Sequence, residues 1–220
     1  MRTMVAAGEV VSAEAVWVLP DEPVPVRLMN TVWADRHAVH DALRTRQDLA
    51  GWVAATGLTA GPVTDGDVEA FRRLRDALRR LAALLTDDPR PAAASPLQDL
   101  ARAVETVNHA ASAGPTNPRL RLRASQLQRD DTPGGPGAAL ATVASQAVVL
   151  LTDATSAPLS ACHAPGCVLY FVKDHPRRGW CSTACGNRVR AARHYQRRRF
   201  ERTTSAATGS RAAPTDPTPR

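Results

Sequence analysis

The sequence predicts a mainly α (α+β) chain: a helical N-terminal domain with a few short strands, then a small module built on cysteines. Three observations carry that expectation. Apolar residues recur at three- and four-residue steps over 68–85, a second and more continuous apolar run covers 137–154, and all four cysteines of the 220-residue chain fall within 162–185. The length is enough for one domain with a sizeable core plus a smaller module.

Taken in order, residues 1–13 are expected to be a flexible N-terminus and 14–157 the helical domain. EAVWVL (14–19) reads as a strand or ordered lead-in closed by Pro20, and PDEPVPV as a proline-rich turn. Residues 27–43 lack a clean helical period and are expected to be loop with short helical pieces. Thr45 caps a short helix ending at Gly57. Thr64 caps the clearest helix, whose apolar stripe is Val68, Phe71, Leu74, Leu78, Leu81 and Leu85, with Arg72, Arg73, Asp76, Arg79 and Arg80 outside it. Asp87-Asp88-Pro89 stops that helix. Ser95-Pro96-Leu97-Gln98 combines a capping residue, a first-turn proline and a capping-box partner, so the next helix is expected to run from there to about Ala113. Leucine and arginine alternate through Leu120 and Leu122, which predicts a half-exposed strand. TPGGPG is a turn, and the apolar run after it is expected to be the central helix of the core. Residues 203–220 are low in apolar residues and are expected to be a disordered tail.

The cysteines come as two close pairs, Cys162-x4-Cys167 and Cys181-x3-Cys185. Zinc takes four soft ligands in a tetrahedron, and two close pairs supply them at low entropic cost. Gly166 in the first loop allows a positive φ, Leu169 to Val172 reads as a strand, Trp180 as the start of a return strand, and the last pair sits at the entry to a helix. Knuckle, hairpin, helix is the order of a treble-clef-like zinc finger, here expected over 158–202, with one structural Zn2+ held by Cys162, Cys167, Cys181 and Cys185. So small a module has too little core to fold without its metal. A redox pair is the competing reading, weakened because neither spacing is C-x-x-C. His163, His175 and His194 are read as surface or supporting groups, since four thiols already complete the set.

Cys185-Gly186-Asn187-Arg188, with CHAPGC before it and WCS ahead of the last pair, resembles the signature of the CGNR zinc-finger family. RLMNTVWADRHAVHDALRTRQDLAGWVAATGL resembles the ABATE domain that accompanies this finger in stress-induced transcription regulators. Family members often carry one more residue between the last two cysteines than the three present here. The resemblance spans roughly residues 14–202 and implies a zinc-dependent regulator.

Charge is distributed unevenly. Residues 1–161 hold 16 Arg and 18 acids, whereas 162–202 hold 10 Lys/Arg and 2 acids. A near-neutral body with a strongly basic end fits a polyanion binder. On the last helix Arg190, Arg193 and Arg197 share a face with His194 beside them, and Val189, Ala192, Tyr195 or Phe200 can pack back on the finger. Arginine suits phosphate and guanine edges. The expected nucleic-acid contacts are Arg188, Arg190, Arg193, His194, Arg197 and Arg198, and the expected partner is double-stranded DNA. Arg188 could instead brace the knuckle, and RNA stays open, although no exposed aromatic run suggests a single-strand platform. The function expected is transcriptional regulation, with the helical domain sensing or self-associating, as a homodimer for instance. The rival readings are a zinc-stabilised protein-interaction module and a thiol-based redox sensor.

No enzyme is expected: there is no phosphate-binding glycine loop, nucleophile elbow or HExxH. His37 and Asp41 would share a helical face but read as a surface ionic group. Trp17, Trp33 and Trp52 are expected in the core, or around a ligand if the body holds one. No run approaches the ~20 apolar residues of a membrane span, and Glu9 and Glu14 interrupt any signal-peptide core, so the expected location is cytoplasmic, nucleoid-associated when bound.

Overall fold

A computed structural model describes residues 18–58, 61–112, 120–123, 126–129, 135–153 and 158–209. The body consists of α1 (Val24–Met29), α2 (Arg46–Ala55), α3 (Asp65–Leu85), α4 (Leu100–Ser112) and α5 (Pro136–Thr152), and the chain ends in α6 (Thr183–Gly209). The strands form antiparallel hairpins: β1 (Val32–Ala34) with β2 (Val39–Asp41), β3 (Leu120–Arg123) with β4 (Gln126–Arg129), and β5 (Leu159–Ala161) with β6 (Tyr170–Val172). Helices α3, α4 and α5 pack against one another, and α1 lies across α3 and α5. No described helix is long and apolar enough to cross a membrane.

Two capping boxes start α2 and α3. The Thr45 and Thr64 hydroxyls accept from the N–H groups of Asp48 and Asp67, and those carboxylates accept from Thr45 and Thr64 N–H in return. Each cap contributes about 1 kcal/mol. Gly57, at φ +73°, ends the α2 turn.

Several expectations are corrected. Residues 32–41 form a hairpin, with Trp33 opposite His40, where loop with helical pieces was expected. Its strands are three residues each, too short to show an alternation. The turn is closed by the Asp35 carboxylate accepting from His37 and Ala38 N–H, which holds Asp35 down to about 2. Val18 and Leu19 are not strand, and Leu19 has φ +57°; residues 14–17 lie outside the described part. Ser95 does not start α4. Its hydroxyl donates to Asp76 O and accepts from Leu97 N–H, and Asp99 instead receives Arg102 N–H at the helix start. In α3, Arg79 is buried, at 2% exposure, and Leu85 is exposed, the reverse of the stripe reading. The helix is covered on more than one side, and Arg79 is satisfied by carbonyls of Met29, Ala93 and Val168. In α5 the buried face is mostly alanine (Ala139, Ala144, Ala147, with Val143), while Val148 and Val149 face out. Its small face lets α3 and α4 approach closely, and α1 packs on it as well, so its place in the core is as expected although its buried side chains are small. Finally, α6 continues to Gly209, into the segment expected to be disordered. After Gly186 no proline or glycine occurs before Gly209, and Ala206 and Ala207 favour helix. Residues 210–220 lie outside the described part.

The C-terminal module is not a separate body. Ala161, Tyr170 and Val172 of the β5–β6 hairpin belong to the same apolar core as Phe71, Leu74 and Val143. Polar bonds reinforce that contact. Asn30, 2% exposed, donates its amide to Tyr170 O at 2.9 Å and accepts Tyr170 N–H at 2.9 Å, as a third strand would. Glu22 accepts Val172 N–H at 2.8 Å and pairs with Arg178. Asn30→Ala would leave both backbone groups of Tyr170 buried and unpaired, at about 1–3 kcal/mol each. The expected outcome is a loss of about 2–4 kcal/mol in denaturant unfolding, with body and finger signals moving together.

Candidate metal centre and nucleic-acid interface

The local order is strand, knuckle, strand, helix. Cys162 follows β5 and Cys167 precedes β6, so the first pair sits at the tip of a hairpin. The strand pairing with β6 thus precedes the first cysteine; Trp180, expected to begin a return strand, lies in a bend. Gly166 takes φ +72°, and Cys167 N–H closes the knuckle on Ala164 O at 2.9 Å. Cys181 lies two residues before α6 and Cys185 in its first turn, where Ser182 Oγ accepts Cys185 N–H at 3.3 Å. The positive end of α6 therefore faces the thiols.

All four Sγ atoms lie within 4.8 Å of one another, and each cysteine is buried. Cys167 and Cys181 are 3.8 Å apart at sulfur, and Cys181 and Cys185 3.5 Å. A tetrahedron of thiolates around zinc at ~2.3 Å has edges of about 3.8 Å, so the donor set fits the ion in number, chemistry and size. The protonation pattern agrees. Bonds from Cys167 and Cys181 pull the Cys162 thiol down, while bonding to Cys162 pushes Cys167 up to about 12 and raises Cys181 as well. Four thiolates this close together need a dication between them. His163, His175 and His194 are exposed and outside the sulfur set.

The CGNR signature acquires a physical reading here. Cys185 is a ligand. Gly186 lies under Trp180: a Cβ there would stand 3.2 Å from the indole Cδ1. Asn187 Oδ1 accepts from Arg190. Arg188 turns back on the knuckle, donating to Pro165 O at 2.9 Å and approaching Cys185 Sγ at 3.4 Å. Of its two expected roles, bracing is the one its contacts fill.

With this geometry in view, the two family comparisons agree. Residues 22–154 match the family model ABATE, described as "Putative stress-induced transcription regulator". The chain belongs to the ABATE family. Residues 159–198 match the CGNR zinc finger, which covers both cysteine pairs. No curated protein matches the chain.

Among the described residues of α6, Val189 is the last buried one and Ala192 is half-buried; Arg190, Arg193, His194, Arg197, Arg198 and Arg202 are exposed. Tyr195 and Phe200, expected to pack back, are each 74% exposed, because the finger surface ends about one turn after Val189. His194, Tyr195, Arg198 and Arg202 line an open depression of about 390 Å³.

The remaining candidates fall elsewhere. His37 lies in the β1–β2 turn and Asp41 ends β2, tied to Arg75 at 2.7 Å, so they share no helical face. Trp52 is in the core; Trp33 stacks on His40 at 4.3 Å. Together with Arg27 and Asn30 they line a cavity of about 10 Å³, room for one water. Trp17 lies outside the described residues. Sequence reasoning missed Glu22, Asn30, Asp88, Arg90, Tyr170, Arg178 and Ser182. Ser182, three residues before Cys185, and Arg178, three before Cys181, act locally; the others act across 70 residues or more.

Gly186→Ala would gain about 1 kcal/mol of helix propensity and lose a similar amount by displacing Trp180, leaving stability near unchanged. Gly186→Val is expected to lose about 1–3 kcal/mol and to shift tryptophan emission. Denaturant titration of both variants checks the pair, and a neutral valine variant would remove the Trp180 constraint.

Proposed function

We propose that this ABATE protein is a zinc-dependent DNA-binding transcriptional regulator, with one structural zinc per chain and α6 as the element that meets the duplex. The observation that carries the reading is the projecting stretch of α6. At about 100° per residue, Arg190, Arg193, His194, Arg197, Arg198 and Arg202 cover roughly half the helix circumference. The sector behind them holds Cys185, Val189 and Ala192, which tie the helix to the finger. From Arg193 to Gly209 the helix extends about 25 Å, and a B-form major groove about 12 Å wide admits it. Phosphate neutralisation by these side chains would dominate affinity.

Burial of all four cysteines favours a structural over a redox-sensing site, since a sensor thiol needs solvent access. No catalytic role is proposed for the His40–Asp35 pair, which is half-exposed and closes a turn.

The test separates metal from nucleic acid. Arg193→Ala with Arg197→Ala should keep its zinc, by elemental analysis, and lose affinity for random duplex DNA. The slope of log affinity against log salt should fall by about two, one for each phosphate contact removed. Unchanged binding and slope would take α6 out of the interface and favour a protein partner.

A further inference from the structure

The first metal knuckle is held from two sides. Arg188 grips it from within the finger. From the other side it is gripped by the ABATE segment. After α3, Asp87 turns the chain at φ +46° and presents Arg90 to the hairpin tip. Arg90 Nη1 donates to Cys162 O at 2.6 Å and to Cys167 O at 2.7 Å, the backbone carbonyls of both cysteines of the first pair. Its remaining donors are fixed by Asp88: Nε to Oδ1 at 2.6 Å and Nη2 to Oδ2 at 2.6 Å, a two-pronged pair. Asp88 is itself buried, its side chain 1% exposed, and accepts the Tyr170 hydroxyl from β6 at 2.9 Å. Burial pushes the Tyr170 phenol up to about 12, so it remains a donor. The loop therefore contacts the first pair at its backbone and the following strand at its side chain.

We propose that Arg90 is a positioning residue of the zinc site, contributed by the regulator domain, so that zinc loading and the docking of residues 87–94 onto the finger form one linked equilibrium. The proposal rests on the zinc reading above. The guanidinium pins two ligand backbones at once and thereby fixes where their sulfurs converge. Its positive charge also lies beside a site that carries a net charge of −2 when four thiolates hold a dication. A bound metal adds to the hairpin and knuckle bonds in holding the two carbonyls at the spacing that one Nη1 can bridge. Linkage then runs both ways: whatever loosens the 87–94 loop weakens zinc by the factor with which zinc tightens the loop.

The experiment uses the full chain. Zinc affinity is measured by competition with a chromophoric chelator at fixed pH, for the wild type, Arg90→Ala, Arg90→Lys and Asp88→Asn, with far-UV circular dichroism as the check on folding. Amide exchange over residues 87–94 is followed in the wild type with zinc bound and after chelation. Arg90→Ala is expected to bind zinc about 10–100-fold more weakly. Arg90→Lys should recover only part of that, because one ammonium cannot serve both carbonyls and the carboxylate, and Asp88→Asn should fall between the wild type and alanine. Chelation should accelerate exchange at 87–94. A folded Arg90→Ala variant with wild-type zinc affinity would overturn the proposal. If that variant does not fold, exchange at 87–94 that is indifferent to zinc in the wild type would overturn it equally. A wild type that takes up no zinc would instead sink the zinc reading itself, and this proposal with it.

Discussion

Four sulfur atoms within 4.8 Å of one another cannot all carry negative charge unless a cation lies between them. The C-terminal third of the chain is arranged around that constraint. The second cysteine pair enters at the positive end of α6. Arg188 donates to Pro165 O and approaches Cys185 Sγ, and Arg90 donates to the carbonyls of Cys162 and Cys167. Arg178 completes the ring, donating to Cys181 O at 3.2 Å while paired with Glu22. A tetrathiolate site gains from such neighbours twice, in charge balance and in the orientation of its ligands.

The contact between the ABATE segment and the finger combines shared apolar core residues with buried polar bonds. Tyr170 shows how. Its ring lies between two guanidinium groups, with Arg79 at 5.3 Å and Arg90 at 5.5 Å, its hydroxyl reaches Asp88, and its backbone is paired with Asn30. An apolar interface of the same area would tolerate sliding. Fixed donors aimed at named carbonyls do not, because a small displacement leaves a buried group unpaired. The finger is therefore held in one orientation on the body.

What could be read in the linear sequence follows from the range of the interactions involved. The two capping boxes, the α3 start, Gly57, Gly166 and the cysteine set are local patterns, complete within five residues or repeated at a fixed step. The signs of Arg79 and Leu85 were not legible, because whether a guanidinium is exposed depends on whether three distant carbonyls meet it. No local pattern marks Arg90. Only the fold brings it to Cys162 and Cys167, 72 and 77 residues further on. The β1–β2 hairpin is not legible in sequence because three-residue strands show too little alternation, and the reach of α6 to Gly209 is not, because low hydropathy by itself does not preclude a helix.

The attachment of α6 has a mechanical consequence. Among the described residues, burial of α6 against the finger ends at Val189 and the half-buried Ala192, so the helix behaves as a lever whose fulcrum is the metal centre. Arg202 lies about 25 Å along the axis from Cys185. A tilt of about 5° at the fulcrum would therefore swing that guanidinium by about 2 Å, enough to break one phosphate contact and make another. Sub-ångström adjustments in how the loop carrying Arg90 seats on the knuckle are thus magnified at the far end of the helix, and the body of the protein holds the short arm.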